Sequence, residues 1–256
     1  APAIASLFIA APALADDRAG LVDFFAGQGC AIGPESREAA MAAGFAADQI
    51  DALATEEAMR DEALLTGDWL IMAPAACKIR PPEIGGTVQL SDPETVAMIS
   101  APDAYADQDS LGCFLNPDLV ARLQQTRGMD AVTAFEEYIR LIGRSIISGE
   151  MTFYSDSMLA TPVGYQSMVG ICAEVPAAAE IRRNHDFLIQ NFDPLIRAIM
   201  AENSCDEFIG WVNSDGGPVP GTVPGTATSN AWVWFEIQTI AMAAGWYEEI
   251  SYSEKG

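Results

Sequence analysis

Between Asp130 and Ser148, Val132, Phe135, Ile139, Ile142 and Ile146 fall three or four residues apart, and Glu136 stands one turn before Arg140. This spacing predicts an amphipathic helix with one buried face, closed by Gly149. A shorter helix precedes it, from Pro117 to Gln125, stopped at Gly128. The first third of the chain reads similarly. Pro34 suits the first position of a helix over Glu35–Ala43 that ends at Gly44. Ala47–Leu53 and Thr55–Leu65, the latter with Thr55 as N-cap, read as two further short helices. Gly67 ends that run. An extended segment then begins at Trp69–Met72 and continues through Cys77 to Arg80, where Pro81-Pro82 terminates it. In the later stretch Gly149-Glu150 matches Gly67-Asp68, and Met151–Tyr154 with Tyr165–Cys172 reads as a hairpin.

Other segments are less regular. Leu21–Phe25 is too short to assign to helix or strand. Glu83–Asp109 forms a connector with a strand at Thr87–Leu90 and a helix from Asp92-Pro93 that ends before Pro102. Pro176 opens a helix to about Asn191, and Asp193-Pro194 restarts it as cap and first residue, to Ala201. Asn213–Asn230 is rich in proline and glycine and must be a loop. Ala231–Ala244 reads as a buried helix ended by Gly245, although the alternation of Val233, Phe235 and Ile237 with Glu236 and Gln238 also fits a strand.

One seven-residue pattern occurs twice. Gly29-Cys30-Ala31-Ile32-Gly33-Pro34-Glu35 returns as Gly112-Cys113-Phe114-Leu115-Asn116-Pro117-Asp118, each time ahead of helical sequence. The expectation is an α+β protein with two similar helix-rich units from an internal duplication, each three short helices followed by a β-hairpin and so winged-helix-like. The units cover about 21–82 and 110–175, with the connector 83–109 between them and a helical part over 176–256. No linker interrupts 16–256, which is expected to be one domain with one core.

Composition narrows the partners. The 256 residues carry 36 acids against 13 bases, a formal charge of −23, and the only lysines are Lys78 and Lys255. Such a surface repels phosphate backbones and anionic headgroups, so neither nucleic acid nor an anionic membrane surface is an expected partner. A winged-helix-like shape, common among DNA-binding proteins, therefore carries no function here. Ala1–Ala15 is uncharged and small-residue-rich, gives way to Asp16-Asp17-Arg18, and ends in Ala13-Leu14-Ala15. That is the small-x-small pattern of a signal-peptidase site, so residues 1–15 read as part of a signal peptide; the alternative is an apolar arm packed on the domain. No stretch is long enough to span a bilayer. The expected location is periplasmic or secreted.

Five cysteines occur, with no C-x-x-C and a single histidine, so no zinc spacing can be assembled. In an exported chain an odd count implies bridges and one leftover thiol. By the repeat, Cys30 pairs with Cys77, Cys113 pairs with Cys172, and Cys205 stays free.

Candidate chemistry is sparse. His185 lies on an apolar helical stripe with Ile181 and Leu188, which suits either a structural histidine or a general base. There is no G-x-S-x-G, and Ser167 is off that pattern. Cys30 ahead of a helix could be an activated thiol. The run Phe24–Pro34 is similar, over about a dozen residues, to the strand–Cys–x–x–Cys–Pro start of thioredoxin-like proteins. Gly33 stands in place of their second Cys, and no β-α-β pattern follows. Asp107, Asp109, Gly112 and Asp118 hold positions of a calcium loop that Leu111 and Pro117 interrupt. Trp211, Trp232, Trp234 and Trp246 surround the Pro/Gly loop and form the expected ligand surface, for a small molecule, a sugar or a protein. No cofactor is indicated. The sequence thus favours an exported, disulfide-stabilised binding or interaction protein. The alternative is an extracytoplasmic hydrolase or thiol enzyme using His185 or Cys30.

Overall fold

A computed structural model describes residues 14–104, 112–154, 164–202 and 233–246. It is α+β, mostly helical with small antiparallel sheets. The chain divides into two compact units, Ala1–Lys78 and Ile79–Gly256. Among the described residues no helix is long and apolar enough to cross a membrane.

The first unit runs α1 (Leu14–Ala26), β1 (Ala31–Ile32), α2 (Pro34–Ala42), α3 (Ala47–Glu57), β2 (Leu64–Thr66) and β3 (Trp69–Ile71). Leu14 and Ala15, the last residues of the expected leader, lie in the first turn of α1, and residues 1–13 are outside the described set. Leu21–Phe25, ambiguous in sequence, belongs to α1. Its Leu21 and Phe25 are fully buried. The three strands are ordered β1-β3-β2, with Ala31 opposite Ile71 and Leu65 opposite Leu70. Gly67, at φ 54°, supplies the left-handed position of the two-residue turn between β2 and β3.

Two helices precede the hairpin here where the sequence suggested three after the Cys turn. Ala47–Leu53 and the start of the expected third helix are one helix, α3. Thr55 is not a cap; its Oγ1 donates to Asp51 O at 2.8 Å, inside the helix. Leu64 and Leu65, expected at the end of that third helix, are instead in β2, because β3 offers them partners.

The second unit contains α4 (Pro93–Val96), α5 (Leu119–Arg127), α6 (Ala131–Ile147), β4 (Met151–Thr152), β5 (Gln166–Ser167), a 3-10 segment (Gly170–Glu174), α7 (Ala178–Gln190), α8 (Phe192–Glu202) and α9 (Val233–Ala243). Asp130 caps α6 by accepting Thr133 N–H at 2.9 Å. Four expectations change. Thr87–Leu90 is not a strand: the N–H groups of Thr87 and Val88 donate to Glu137 Oε2 at 2.6 and 3.1 Å, so a side chain takes the bonds a strand would have given a neighbour. Asp193 is not a cap, since its carboxylate accepts Ile79 N–H at 2.8 Å and Arg197 Nε–H at 2.9 Å within α8. Residues after β5 turn into the 3-10 segment rather than continuing as strand to Cys172. Finally, Gly149-Glu150 joins α6 to β4, whereas Gly67-Asp68 closes a hairpin, so the two pairs do not correspond.

Val233–Ala243, in the stretch that fitted either helix or strand, is helix α9, buried at Val233, Ile237 and Ile240. It packs against α6, where Gly143 permits the approach: a Cβ there would sit 2.4 Å from Ala243 Cβ.

Both bridges are formed, Cys30–Cys77 with Cα atoms 5.9 Å apart and Cys113–Cys172 with 5.8 Å. These are the pairs that the repeated Gly-Cys start suggested. Their surroundings agree in detail. Cys30 (φ 53°) and Cys113 (φ 68°) are the non-glycine residues with positive φ among those described. The carbonyl of Cys30 accepts Met72 N–H at 2.9 Å, and that of Cys113 accepts Ser167 N–H at 2.8 Å. The second cysteine of each bridge then lies five residues beyond that donor.

Candidate functional site

Two concave features stand out among the described residues of the second unit. The first is a cavity of about 50 Å³ between β4, α7 and α9, lined by Thr152, Met168, Arg182, His185 and Glu236 among others. The apolar pattern of α9 carries Glu236 inward with Val233 and Ile237, so its carboxyl is buried. Glu236 Oε1 accepts Thr152 Oγ1–H and Phe153 N–H, both at 2.7 Å. Burial nevertheless dominates and raises this carboxyl above its ordinary value, while His185 pulls it the other way. The His185 ring lies against Gly149, and its Nε2 is 3.0 Å from Ile147 O. A carbonyl can only accept, so Nε2 bears a proton. Tyr165 OH and Thr239 Oγ1 are 2.6 Å apart nearby, and burial raises Tyr165 as it raises Tyr138, the latter to about 12.

Among the described residues, no serine or cysteine lines this cavity beside the pair. Ser167 Oγ is buried without a hydrogen-bond partner, as are the amide groups of Gln166 and Asn184. A volume of about 50 Å³ accommodates one or two waters and no substrate.

The second feature is a groove of about 560 Å³, within the range of small-molecule sites. One wall is the outer face of α6 with Phe135, Glu136, Ile139 and Arg140. The opposite side is the last turn of α9 with Met242, and the loop 83–86 closes an end with Glu83 and Ile84. The α6 stripe explains its origin. Ile142 and Ile146 are fully buried, but Val132 is 67% and Phe135 50% exposed, so the stripe runs past what covers it. Met242 is 49% exposed across from it. Arg140 pairs with Glu136 at 3.3 Å, as the spacing predicted, and with Glu137 at 3.4 Å.

The remaining sequence candidates fare differently. Cys30 is bridged to Cys77, so it offers no thiol and the thiol-enzyme version falls. Trp246 is 8% exposed, with its ring edge on Phe192, and is a core residue rather than a ligand platform. Trp211 and Trp232 lie outside the described residues, as does the side chain of Trp234 on α9. Asp107, Asp109 and Cys205 are also outside them. Asp118 is exposed and donates its N–H to Asn116 Oδ1 at 2.8 Å. Among the described residues no three acids, cysteines or histidines group as a metal site. The groove itself was missed in the sequence. Its one signal was the length of the α6 stripe, whose first turn no short neighbour could cover.

Compared with family models, curated proteins and solved structures, the chain matches none of them.

Proposed function

We propose that this chain is an exported binding protein, periplasmic or secreted, braced by its two disulfides, whose ligand lies in the groove between α6 and α9. The observation that carries the reading is the half-exposed pair Phe135 and Met242 facing a space of about 560 Å³. Large apolar side chains left open in a concavity favour an apolar ligand. The test uses Nile red, a neutral dye that brightens in apolar surroundings. The oxidised protein is expected to bind it, and Phe135→Asn to weaken binding at least tenfold. Absence of binding, or equal binding by the variant, overturns the reading.

The bridges support the location, because disulfides persist in oxidising compartments. The signal-peptide reading of residues 1–15 belongs to the same proposal; the mass of the exported protein, with cleavage before Asp16, checks it.

The two units descend, in this proposal, from one duplicated winged-helix-like element. Support comes from the shared order Cys–α–α–β–β–Cys and from the left-handed Cys30 and Cys113. In the first unit, α1 and the strand order β1-β3-β2 add a third helix and a three-stranded wing. The reading of 16–256 as one domain goes with it, and a single calorimetric unfolding transition checks that.

A second reading is hydrolysis at His185, favoured by the cavity that His185 shares with Glu236. Magnitude decides against it as the first choice: the groove offers about ten times the space.

A further inference from the structure

We infer that the groove between α6 and α9 selects an amphiphilic organic cation, a molecule with an apolar body and an ammonium-type head. This rests on the reading of the groove as the ligand site and adds the class of ligand.

The apolar part follows from Phe135, Ile139, Ile84 and Met242. Three further observations fix the sign of the head group. First, the wall opposite α6 is the C-terminal end of α9, through Met242 and Ala243, with Gly245 just beyond it. The last carbonyls of a helix carry partial negative charge; here the N–H groups of Ala244, Gly245 and Trp246 offset it in part, but no basic residue in the last turn of α9 does. Second, the rim holds Glu83, exposed and without an ion pair among the described residues, and Glu136. Its basic member, Arg140, is shared between Glu136 and Glu137. Arg144, behind Gly86 and not lining the groove, offsets one more acid, so the balance of Glu83, Glu136, Glu137, Arg140 and Arg144 remains negative. Third, Phe135 is half exposed on the groove wall, and the face of an aromatic ring attracts cations and not anions. The formal charge of −23 on the whole chain acts in the same direction.

Three detergents with the same dodecyl tail separate the alternatives: dodecyltrimethylammonium, dodecyl maltoside and dodecyl sulfate. Each is titrated calorimetrically below its micelle threshold into the oxidised full chain at 150 mM salt, which screens distant charge. The ammonium compound is expected to bind about tenfold more tightly than the maltoside, and the sulfate most weakly. Glu83→Gln with Glu136→Gln should remove most of that preference without abolishing binding of the maltoside. Phe135→Asn should weaken all three. Equal binding of the three overturns the cation assignment and leaves the groove reading standing. No binding of any overturns both. An ammonium preference that persists unchanged in the Glu83→Gln, Glu136→Gln variant assigns the effect to the general acidic surface and also overturns the inference. Tighter binding of a lysine-rich amphipathic peptide than of the detergent would replace the small molecule with a protein partner.

Discussion

Thr152 Oγ1 and Glu236 Oε1 are 2.7 Å apart, a hydrogen bond between a two-residue strand and a carboxyl inside the second unit. The contact fixes α9 against β4, and it places an acid where burial works against its charge. Because the folded carboxyl is raised above its ordinary value of 4.5, Glu236 contributes stability that is fully present below that value and lost as pH rises through the folded one. Glu236→Gln is therefore expected to flatten the fall in melting temperature between acid and neutral pH. Paired thermal melts of wild type and variant over that range isolate it from the general charge of the chain. Parallel curves would mean that the group titrates normally.

Glu137 acts in the opposite sense. Burial opposes its charge, but bonds from Thr87 N–H, Thr87 Oγ1–H, Val88 N–H and Arg140 prevail and lower it. Its contribution is present above the ordinary carboxyl value and lost as pH falls through the lowered one. Glu137→Gln weakens four charge-assisted bonds at once, and about 1–3 kcal/mol of destabilisation is expected at neutral pH. In urea denaturation the gap between wild type and variant should narrow below pH 4.5.

Gly143 tests the α6–α9 contact that shapes the groove. Alanine would gain about 1 kcal/mol in helix propensity. Its Cβ, however, meets Ala243 Cβ at 2.4 Å, and overpacking of that kind costs about 1–3 kcal/mol. Gly143→Ala should therefore lose stability on balance and, by pushing α9 outward, weaken Nile red binding as well. A more stable variant with unchanged dye binding would show that the helices are not in contact there.

The bridges make a covalent prediction. In denaturant without reductant, iodoacetamide should label one cysteine, Cys205, and with reductant all five. Replacing Cys113 and Cys172 together with alanine should cost on the order of 2–5 kcal/mol, as should the Cys30 and Cys77 pair. Peptide mapping and chemical denaturation read out the two parts.

The sequence alone determined the helices that carry their own punctuation, such as α6 between Asp130 and Gly149, and the cysteine pairs, because the repeat aligned them. Those signals are local: caps, periodicity and turn residues act within a few positions of themselves. It misassigned Thr87–Leu90 and Leu64-Leu65, whose backbone bonds depend on Glu137 and on β3. Tertiary structure decided those, since a backbone N–H satisfied by a distant group leaves no trace in its own neighbourhood. It also decided the site. The α6 stripe announced an apolar face, but only the position of α9 determined how much of that face is covered, and the uncovered part is the groove.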